Sequence, residues 1–172
     1  MTQIVQKGDP ILREKAQPIT EEEFGSDWLQ QVIEQMKEAL NTQKDGAALA
    51  APQIGIGKQL FVVSHRIFQH LDGSERYDDD KEFINPEIIK RSRETEWMDE
   101  GCLSVRPWYG QVKRHQKVRL RAYDIMGNKF HWNASGLMAQ IFQHETDHLA
   151  GVLFVDKARD LTDQPLDQTE YN

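Results

Sequence analysis

The segment from Ile141 to Gly151, IFQHETDHLAG, carries two of the chain's six histidines four residues apart. Residues four apart lie on one face of an α-helix about one turn apart, so His144 and His148 can point at a common atom. In proteins with the pattern H-E-x-x-H, the two imidazoles bind a metal ion and the intervening glutamate, here Glu145, carries protons beside it. The spacing therefore predicts a catalytic metal site on a helix.

A metal ion held by two histidines needs a third protein ligand if it is to bind tightly and keep one position open for water. The candidates are the single cysteine, Cys102, and the many carboxylates. Cys102 lies in DEGCLSV, where Gly101 permits close backbone approach and the flanking residues pack rather than solvate. A lone cysteine is more commonly a small buried hydrophobe, but an H-E-x-x-H helix in the same chain favours the ligand interpretation.

Composition limits the class of protein. At 172 residues the chain is long enough for one domain with a sizeable core, so we interpret residues 1–172 as a single catalytic domain. The start, MTQIVQKGDP, does not have the form of a signal peptide, and no segment approaches the roughly 18 apolar residues of a membrane span, which predicts a cytoplasmic protein. A single cysteine excludes an internal disulfide. A formal charge of -7 argues against a general nucleic-acid binder, although it leaves room for local basic patches.

Two helices are predicted from the spacing of apolar residues. The first covers residues 27–43, and Thr20 with Glu23 has the form of a capping box before it. The second runs from a Ser135 cap to about Ala150, with Gly151 as its C-terminal stop. This second helix carries the H-E-x-x-H pattern.

Short strands are predicted between the helices. Residues 60–63, FINPEII and TEWMDEG have strand composition, and QKVRLRAYD with KFHW alternates like a hairpin with Gly127 and Asn128 in its turn. The small residues of GAALAAPQIGIGKQ predict a close-packed loop before residue 60. The order helix, strands, helix predicts an α+β fold, with short antiparallel strands packed around the metal-bearing C-terminal helix and an added N-terminal helix.

Two segments are expected outside this framework. Residues 65–82, HRIFQHLDGSERYDDDKE, predict an exposed loop. Its histidines and the acids Asp78 to Asp80 have metal-binding side chains, but a solvated charged loop is the favoured interpretation. His131 has no partner at metal-ligand spacing. The acidic tail, residues 160–172, has little apolar content and is expected to be partly disordered.

Three motifs give the chain a family resemblance. GAALAAPQ (Gly46–Gln53), EGCLS (Glu100–Ser104) and QHETDHL (Gln143–Leu149) occur in the order, and at roughly the spacing, of the three motifs of peptide deformylases. The resemblance extends from GDPILR near the amino terminus to GVLFVD at Gly151–Asp156. It implies a metallohydrolase that removes the N-formyl group from formyl-methionine at the start of nascent polypeptides and releases formate.

The resemblance also implies a metal centre and a proton carrier. Its metal ligands are Cys102, His144 and His148. The ion is Fe(II), which Zn(II), Ni(II) or Co(II) can replace, and the ligand set alone suits zinc as well. Glu145 accepts a proton from the attacking water and delivers it to the departing amine.

Further roles follow from the same resemblance. The side-chain amide of Gln53 and the backbone N–H of Leu103 are expected to stabilise the developing oxyanion. The implied substrate contacts are Gly46, Ala48 and Ile141, with Ile141 lining part of an apolar methionine pocket. Neighbouring Leu137 and Phe142 are expected in the core instead. Gln143 and Asp147 lie off the ligand face of the helix, which predicts supporting hydrogen bonds.

Two departures from the family pattern bear on substrate range and activity. Where the family has Gly-x-Gly, this chain has Ala48 in place of the second glycine, which would be strained if the backbone there needs a positive φ. After EGCLS the chain has Arg106 and Pro107 where the family commonly has Pro-Gly, so Trp108 could roof the cleft. These changes leave open a catalytically silent relative that only binds formylated peptides, or one that acts on other N-acylated peptides.

A second rival and the expected partners remain. A metalloprotease shares H-E-x-x-H, but the Cys102 ligand and the Gln53 motif argue against it. Many bacterial deformylases end in a basic helix associated with ribosome binding, and the acidic tail here does not support docking of that kind. The expected partners are therefore formyl-methionyl nascent peptides, with transient proximity to the ribosome and no binding of nucleic acid or membrane.

Overall fold

A computed structural model describes residues 2–72 and 78–163. The helices are α1 (Asp27–Asn41), α2 (His65–Asp72) and α3 (Gly136–Leu149), with short 3-10 helices at Pro10–Arg13, Ala51–Ile54 and Phe154–Asp156. The strands are β1 (Ala48–Ala50), β2 (Leu60–Val63), β3 (Lys81–Arg91), β4 (Thr95–Gly101), β5 (Tyr109–His115), β6 (Lys117–Tyr123), β7 (Lys129–Ser135) and β8 (Arg159–Thr162). These elements form the predicted α+β fold. None of the helices described is both long and apolar enough to cross a bilayer.

Helix α1 begins at Asp27, as its apolar spacing predicts. The Ser26 hydroxyl caps it by accepting the N–H of Leu29 at 3.2 Å, because the first turn of a helix leaves its N–H groups without partners. The capping-box prediction was therefore wrong about the cap. Glu23 does accept the N–H of Thr20 at 2.8 Å, but this bond closes a turn before the helix.

The larger sheet is antiparallel and has the order β1-β2-β3-β6-β7. Along β2, Phe61 and Val63 pack on the α3 side, whereas Leu60 and Val62 pack on the α1 side. Strand β1 is likewise buried on both faces. The prediction of a close-packed loop before residue 60 was therefore wrong for residues 48–50, which form β1 at the edge of this sheet. Three small residues carry too little periodicity to reveal such a strand.

The smaller sheet has the order β4-β5-β8. Strand β4 has the bounds that its sequence predicts, but β5 and β8 were not predicted. Residues 160–162 belong to β8, so this start of the acidic tail, which was predicted to be partly disordered, is ordered. The pairing of Gln111 with Arg159 supplies backbone hydrogen bonds that the tail's polar composition does not reveal. Residues 164–172 lie outside the described residues.

The exposed-loop prediction for residues 65–82 was wrong at both ends. Residues 65–72 form α2, in which Ile67 and Phe68 are buried, and β3 begins at residue 81. The buried Asp80 carboxylate accepts the N–H of His65 at 2.9 Å and lies 2.7 Å from its Nδ1. Asp80 thus caps the N-terminus of α2 and is not a solvent-exposed residue of a loop. Residues 73–77 lie outside the described residues.

Helix α3 packs across the larger sheet and carries the metal-ligand pattern. Phe142 is fully buried against the rings of Phe83 and Phe61, at centroid distances of 5.1 Å and 6.0 Å. Gly151 follows the helix with a φ of 75°, as its predicted stop requires. Ser135 precedes the helix but its side chain makes no capping hydrogen bond, so that detail of the prediction was wrong. The β6–β7 hairpin and its Gly127 turn are confirmed.

Candidate active site

The structure brings three potential metal ligands together. Helix α3 supplies His144 and His148, and Cys102 lies immediately after the last residue of β4. One ligand atom from each residue lies within 4.8 Å of the others, and Cys102 Sγ is 3.3 Å from His148 Nε2. No other group of three such side chains in the described ranges is arranged to hold an ion.

The donor set suits a divalent transition metal, since it combines one sulfur with two imidazole nitrogens. Burial lowers the pKa of His148 well below its ordinary value, which favours the neutral form that binds metal. Burial also opposes the charged form of His144, but hydrogen bonds with Cys102 and Glu100 outweigh it and raise the pKa of His144. An imidazolium cannot bind a metal ion, so His144 must lose this proton when a cation binds.

Glu100 positions one of these histidines. Its carboxylate lies 2.9 Å from Nδ1 of His144, which leaves Nε2 of that ring to face the other ligands. Burial raises the pKa of Glu100, but hydrogen bonds from Arg114 and His144 outweigh burial and lower the pKa to about 2. The carboxylate is therefore a permanent anion, able to hold the Nδ1 proton of the histidine.

Arg114 completes the buried network behind the site. Its Nε and Nη2 donate to the two oxygens of Glu100 at 2.6 Å and 2.9 Å, and its Nη1 donates to Asp147 at 2.7 Å. Lys157 donates to both oxygens of the same Asp147. The bidentate geometry fixes the Glu100 carboxylate on the end of β4.

Glu100 and Arg114 were not assigned roles from the sequence. Their signal is charge at strand positions that point inward: Arg114 lies two residues after the buried Val112, on the same face of β5, and it is itself buried. A buried cation requires a partner, so this position would have indicated an ion pair had β5 been predicted.

Glu145 lies beside the ligands as the motif predicts. It is buried, and none of the described residues donates a hydrogen bond to its Oε2. Burial raises the pKa of Glu145 to about 7, because the low dielectric disfavours the carboxylate. A carboxyl group with a pKa near neutrality can both accept and return a proton. His148 Nδ1 is also buried without a partner among these residues.

Gln53 reaches the site from the 3-10 helix after β1. Its Oε1 accepts the N–H of Ala50 at 2.8 Å, which directs Nε2 towards Ser104 Oγ at 3.0 Å and Cys102 Sγ at 3.6 Å. The N–H of Leu103 has no acceptor among the described residues, while its carbonyl accepts a hydrogen bond from Gln6. Both predicted donors thus lie next to Cys102, and the buried Ser104 is an addition to the predicted set.

The predicted substrate contacts lie in or next to β1 and α3. Ala48 lies in β1 and is 9% exposed, in the same apolar cluster as Ile141. The backbone of Ala48 does not have a positive φ, so the strain considered from the sequence is absent. Gly46 precedes this strand, and a Cβ there would lie 2.8 Å from Leu40 Cδ1. The core assignment of Phe142 is confirmed, whereas Leu137 is partly buried and packs against the edge of the same cluster.

Two further predictions concern the flanking residues. Gln143 exchanges hydrogen bonds with the backbone N–H and carbonyl of His115, both at 2.9 Å, and Asp147 pairs with Arg114, so their supporting roles are confirmed. Arg106 donates to Asp45 at 2.7 Å and thereby links the segment after Cys102 to the one before Gly46.

Comparison with known proteins agrees with this geometry. The family model for polypeptide deformylase matches residues 1–164. A peptide deformylase from Heliobacterium modesticaldum is 45% identical over 156 residues, which are 90% of this chain and 92% of that protein.

Solved structures give the same result at the level of the fold. The deformylase from Thermotoga maritima has a TM-score of 0.80 and 34% identity, over 92% of this chain and 98% of that one. A class I type b deformylase from Acinetobacter baumannii, solved with Met-Ala-Ser bound, has a TM-score of 0.79 and 33% identity, over 91% of this chain and 99% of that one. The chain therefore belongs to the polypeptide deformylase family.

Proposed function

We propose that this deformylase hydrolyses the formamide bond of N-formyl-methionine at the amino terminus of nascent polypeptides and releases formate. The observation that carries the proposal is the cluster of Cys102, His144 and His148 beside the buried, unpartnered Oε2 of Glu145. A sulfur-and-imidazole donor set next to a carboxyl group that exchanges protons near neutrality suits metal-assisted hydrolysis.

The metal is proposed to bind to Cys102 Sγ and the two imidazoles. When bound, the divalent cation supplies a Lewis acid that polarises the formyl group and acidifies the attacking water. Fe(II) is the proposed ion in the cell, and Zn(II), Ni(II) or Co(II) can occupy the same donors. Thiolate and ferrous ligation predicts sensitivity to oxygen.

Glu145 is proposed to move the proton. Its carboxylate removes a proton from water while the water oxygen attacks the formyl carbon. The formyl carbon–nitrogen bond then breaks, and Glu145 returns the proton to the departing amine. Formic acid and a free amino terminus result, the acid passes its remaining proton to the amine or to solvent and leaves as formate, and the glutamate is again a carboxylate.

Gln53 and Leu103 are proposed to stabilise the charge on the formyl oxygen. The second N–H of the Gln53 amide and the backbone N–H of Leu103 are both adjacent to Cys102. Fixed donors of this kind need little reorganisation as the oxyanion forms. The Ala50 N–H prevents the amide from turning its oxygen towards that charge.

Substrate binding is proposed along β1 and α3. Gly46 and Ala48 would offer backbone at the start of β1, and Ile141 would offer the margin of the apolar cluster that it shares with Ala48. The Acinetobacter baumannii relative holds Met-Ala-Ser, which is the sequence that deformylation of formyl-Met-Ala-Ser would leave. The proposed partners are formylated nascent chains, met near the ribosome in the cytoplasm.

The test is formate release from formyl-Met-Ala-Ser, using protein prepared without oxygen and loaded with Fe(II). Release by the wild-type protein should fall by a factor of about 100 or more in Glu145→Ala and Glu145→Gln, with metal content unchanged. Glu96→Gln, an exposed position on β4, is the matched control. An absence of formate despite bound metal would refute the proposal, and cleavage of internal peptide bonds would instead indicate a metalloprotease.

A further inference from the structure

The larger sheet carries a cluster of cations on the side that faces away from α3. Along β6, Val118, Leu120 and Ala122 point into the apolar cluster that includes α3, so the alternating residues point outward. We define the basic face as the outward cations of β3, β6 and β7. These residues are Lys90, Lys117, Arg119, Arg121 and Lys129.

Strand register places these cations next to one another. Lys90 pairs with Arg119 across β3 and β6, and Lys117 lies two residues before Arg119 on the same face. Opposite and alternate positions in a sheet are separated by about 5 Å and 7 Å, so the cations form a continuous surface. Asn133 and Ser135 of β7, both exposed, extend it with neutral polar groups.

The positive charge is largely uncompensated. We consider the described residues of β3 from Glu87 onwards, of β6 and of β7 whose side chains point away from α3. Glu87 is the sole acid among them, and it pairs with Arg121. Within the described part of the chain, Lys90, Lys117, Arg119 and Lys129 have no carboxylate within salt-bridge distance. By contrast Arg13 and Lys37, on other surfaces, each pair with an aspartate. A protein of net charge -7 thus carries four cations without a described salt-bridge partner on this one surface.

We propose that the basic face docks on the phosphate backbone of double-helical RNA. Protein interfaces have apolar centres and are depleted in lysine, whereas phosphate backbones are bound by lysine, arginine and polar side chains. Single-stranded nucleic acid is bound on exposed aromatic rings, but Phe130 and Trp132 of β7 turn towards the α3 core. The exposed ring that β7 adds to this face is the imidazole of His131, opposite Arg121. A cationic, polar surface without exposed Phe, Tyr or Trp rings fits a duplex backbone.

The choice of RNA over DNA rests on the proposed function, because nascent chains with a formylated terminus emerge from a ribonucleoprotein. The position of the face is compatible with catalysis. The metal-ligand helix α3 lies on the opposite side of the sheet, so a duplex bound to the basic face leaves Cys102 and Glu145 accessible to peptide. The negative net charge of the chain predicts no general binding of nucleic acid. The positive charge of the basic face changes that expectation for this one surface.

The test uses the full-length Fe(II)-loaded protein and a fluorescent 20-base-pair RNA duplex of arbitrary sequence, titrated by anisotropy over a range of salt concentrations. Non-specific affinity is expected with a Kd of about 1–100 μM near physiological salt. Lys90→Glu with Lys117→Glu should weaken binding at least about tenfold at low salt, and should reduce the slope of log K against log salt by about 2. Lys15→Glu with Lys113→Glu, two exposed lysines elsewhere with the same change in net charge, should weaken binding much less.

Formate release from formyl-Met-Ala-Ser separates this inference from the proposed function. The Lys90 and Lys117 variant should keep wild-type release, which also shows that it folds. Active protein that does not bind the duplex, or that binds it equally well after charge reversal, would overturn the inference alone. Equal affinity for polyglutamate would also overturn it, by indicating a site for acidic protein. Duplex binding without formate release would support the basic face and refute the proposed function.

Discussion

The carboxylate of Glu100 lies 2.9 Å from Nδ1 of His144 at the junction of β4 and α3, where Glu100 is buried and His144 is partly buried. A carboxylate in this position fixes which imidazole nitrogen carries the proton and which faces the metal. The orientation of His144 on α3 thus depends on Glu100, an acid that lies two residues before the other ligand, Cys102.

Replacing Glu100 by glutamine should weaken metal binding. An amide has no negative charge to hold the Nδ1 proton of His144, and loss of such a partner typically lowers metal affinity by about 10- to 100-fold. Competition for Zn(II) with a chromophoric chelator measures the affinity. Glu96→Gln, at the exposed end of the same strand, should bind Zn(II) as the wild type does. Equal affinity in the two variants would show that Glu100 does not support the ligand.

Replacing Ser104 by alanine should lower kcat while leaving KM nearly unchanged. The buried hydroxyl accepts one N–H of Gln53 at 3.0 Å, and without it the amide nitrogen keeps only its longer contact with Cys102 Sγ at 3.6 Å. We expect a decrease of about tenfold, smaller than the hundredfold or more typical for loss of an oxyanion donor, which is expected for Gln53→Ala.

The double variant distinguishes positioning from an independent effect. If Ser104 acts through Gln53, then Ser104→Ala should cost little more once Gln53 is already alanine. Steady-state kinetics on formyl-Met-Ala-Ser provide all four values of the cycle. Additive losses of activity would contradict a positioning role.

Replacing Gly151 by alanine should destabilise the fold strongly. Gly151 has a φ of 75°, and a Cβ there would lie 2.5 Å from the backbone oxygen of Arg13. Both the positive φ and the backbone clash oppose a side chain, so we expect a loss of about 2–4 kcal/mol in the free energy of unfolding. Urea denaturation measures it. Gly57→Ala is the control, since no heavy atom lies within 4 Å of its Cβ position, and should change stability by no more than about 1 kcal/mol.

Replacing Glu23 by glutamine should lower the free energy of unfolding at neutral pH, and the loss should become smaller at strongly acidic pH. The hydrogen bond from Lys58, together with that from the Thr20 backbone, lowers the pKa of Glu23 below its ordinary value. A lowered pKa in the folded state contributes stability above the unfolded pKa, and this stability is lost as the pH falls through the folded pKa. At pH 7 the variant should lose about 0.5–1 kcal/mol relative to the wild type, because the pair is only partly buried.

Urea denaturation at pH 7 and at pH 3 measures that difference. The gap between Glu23→Gln and the wild type should narrow at the lower pH, where the carboxyl begins to take up a proton. A gap that is constant with pH would mean that the ion pair with Lys58 does not contribute to stability.

The local patterns in the sequence were sufficient to predict several elements. Helix α1, the β6–β7 hairpin and the H-E-x-x-H helix depend on spacing within about 15 residues, and periodicity over such windows is visible without the fold. The histidine pair was predicted for a related reason, because four-residue helical spacing places His144 and His148 on one face whatever the helix packs against. Cys102 was added as the third ligand from the H-E-x-x-H context and the family resemblance.

Only the tertiary structure decided the parts that depend on distant residues. Strand β8 forms because β5 offers it an edge, and Asp80 caps α2 from 15 residues away. The Glu100–His144 contact likewise joins groups 44 residues apart. Composition suggested exposed polar segments at several of these places. Backbone hydrogen bonds and buried ion pairs outweighed that local tendency, because such bonds form only when packing brings their partners together.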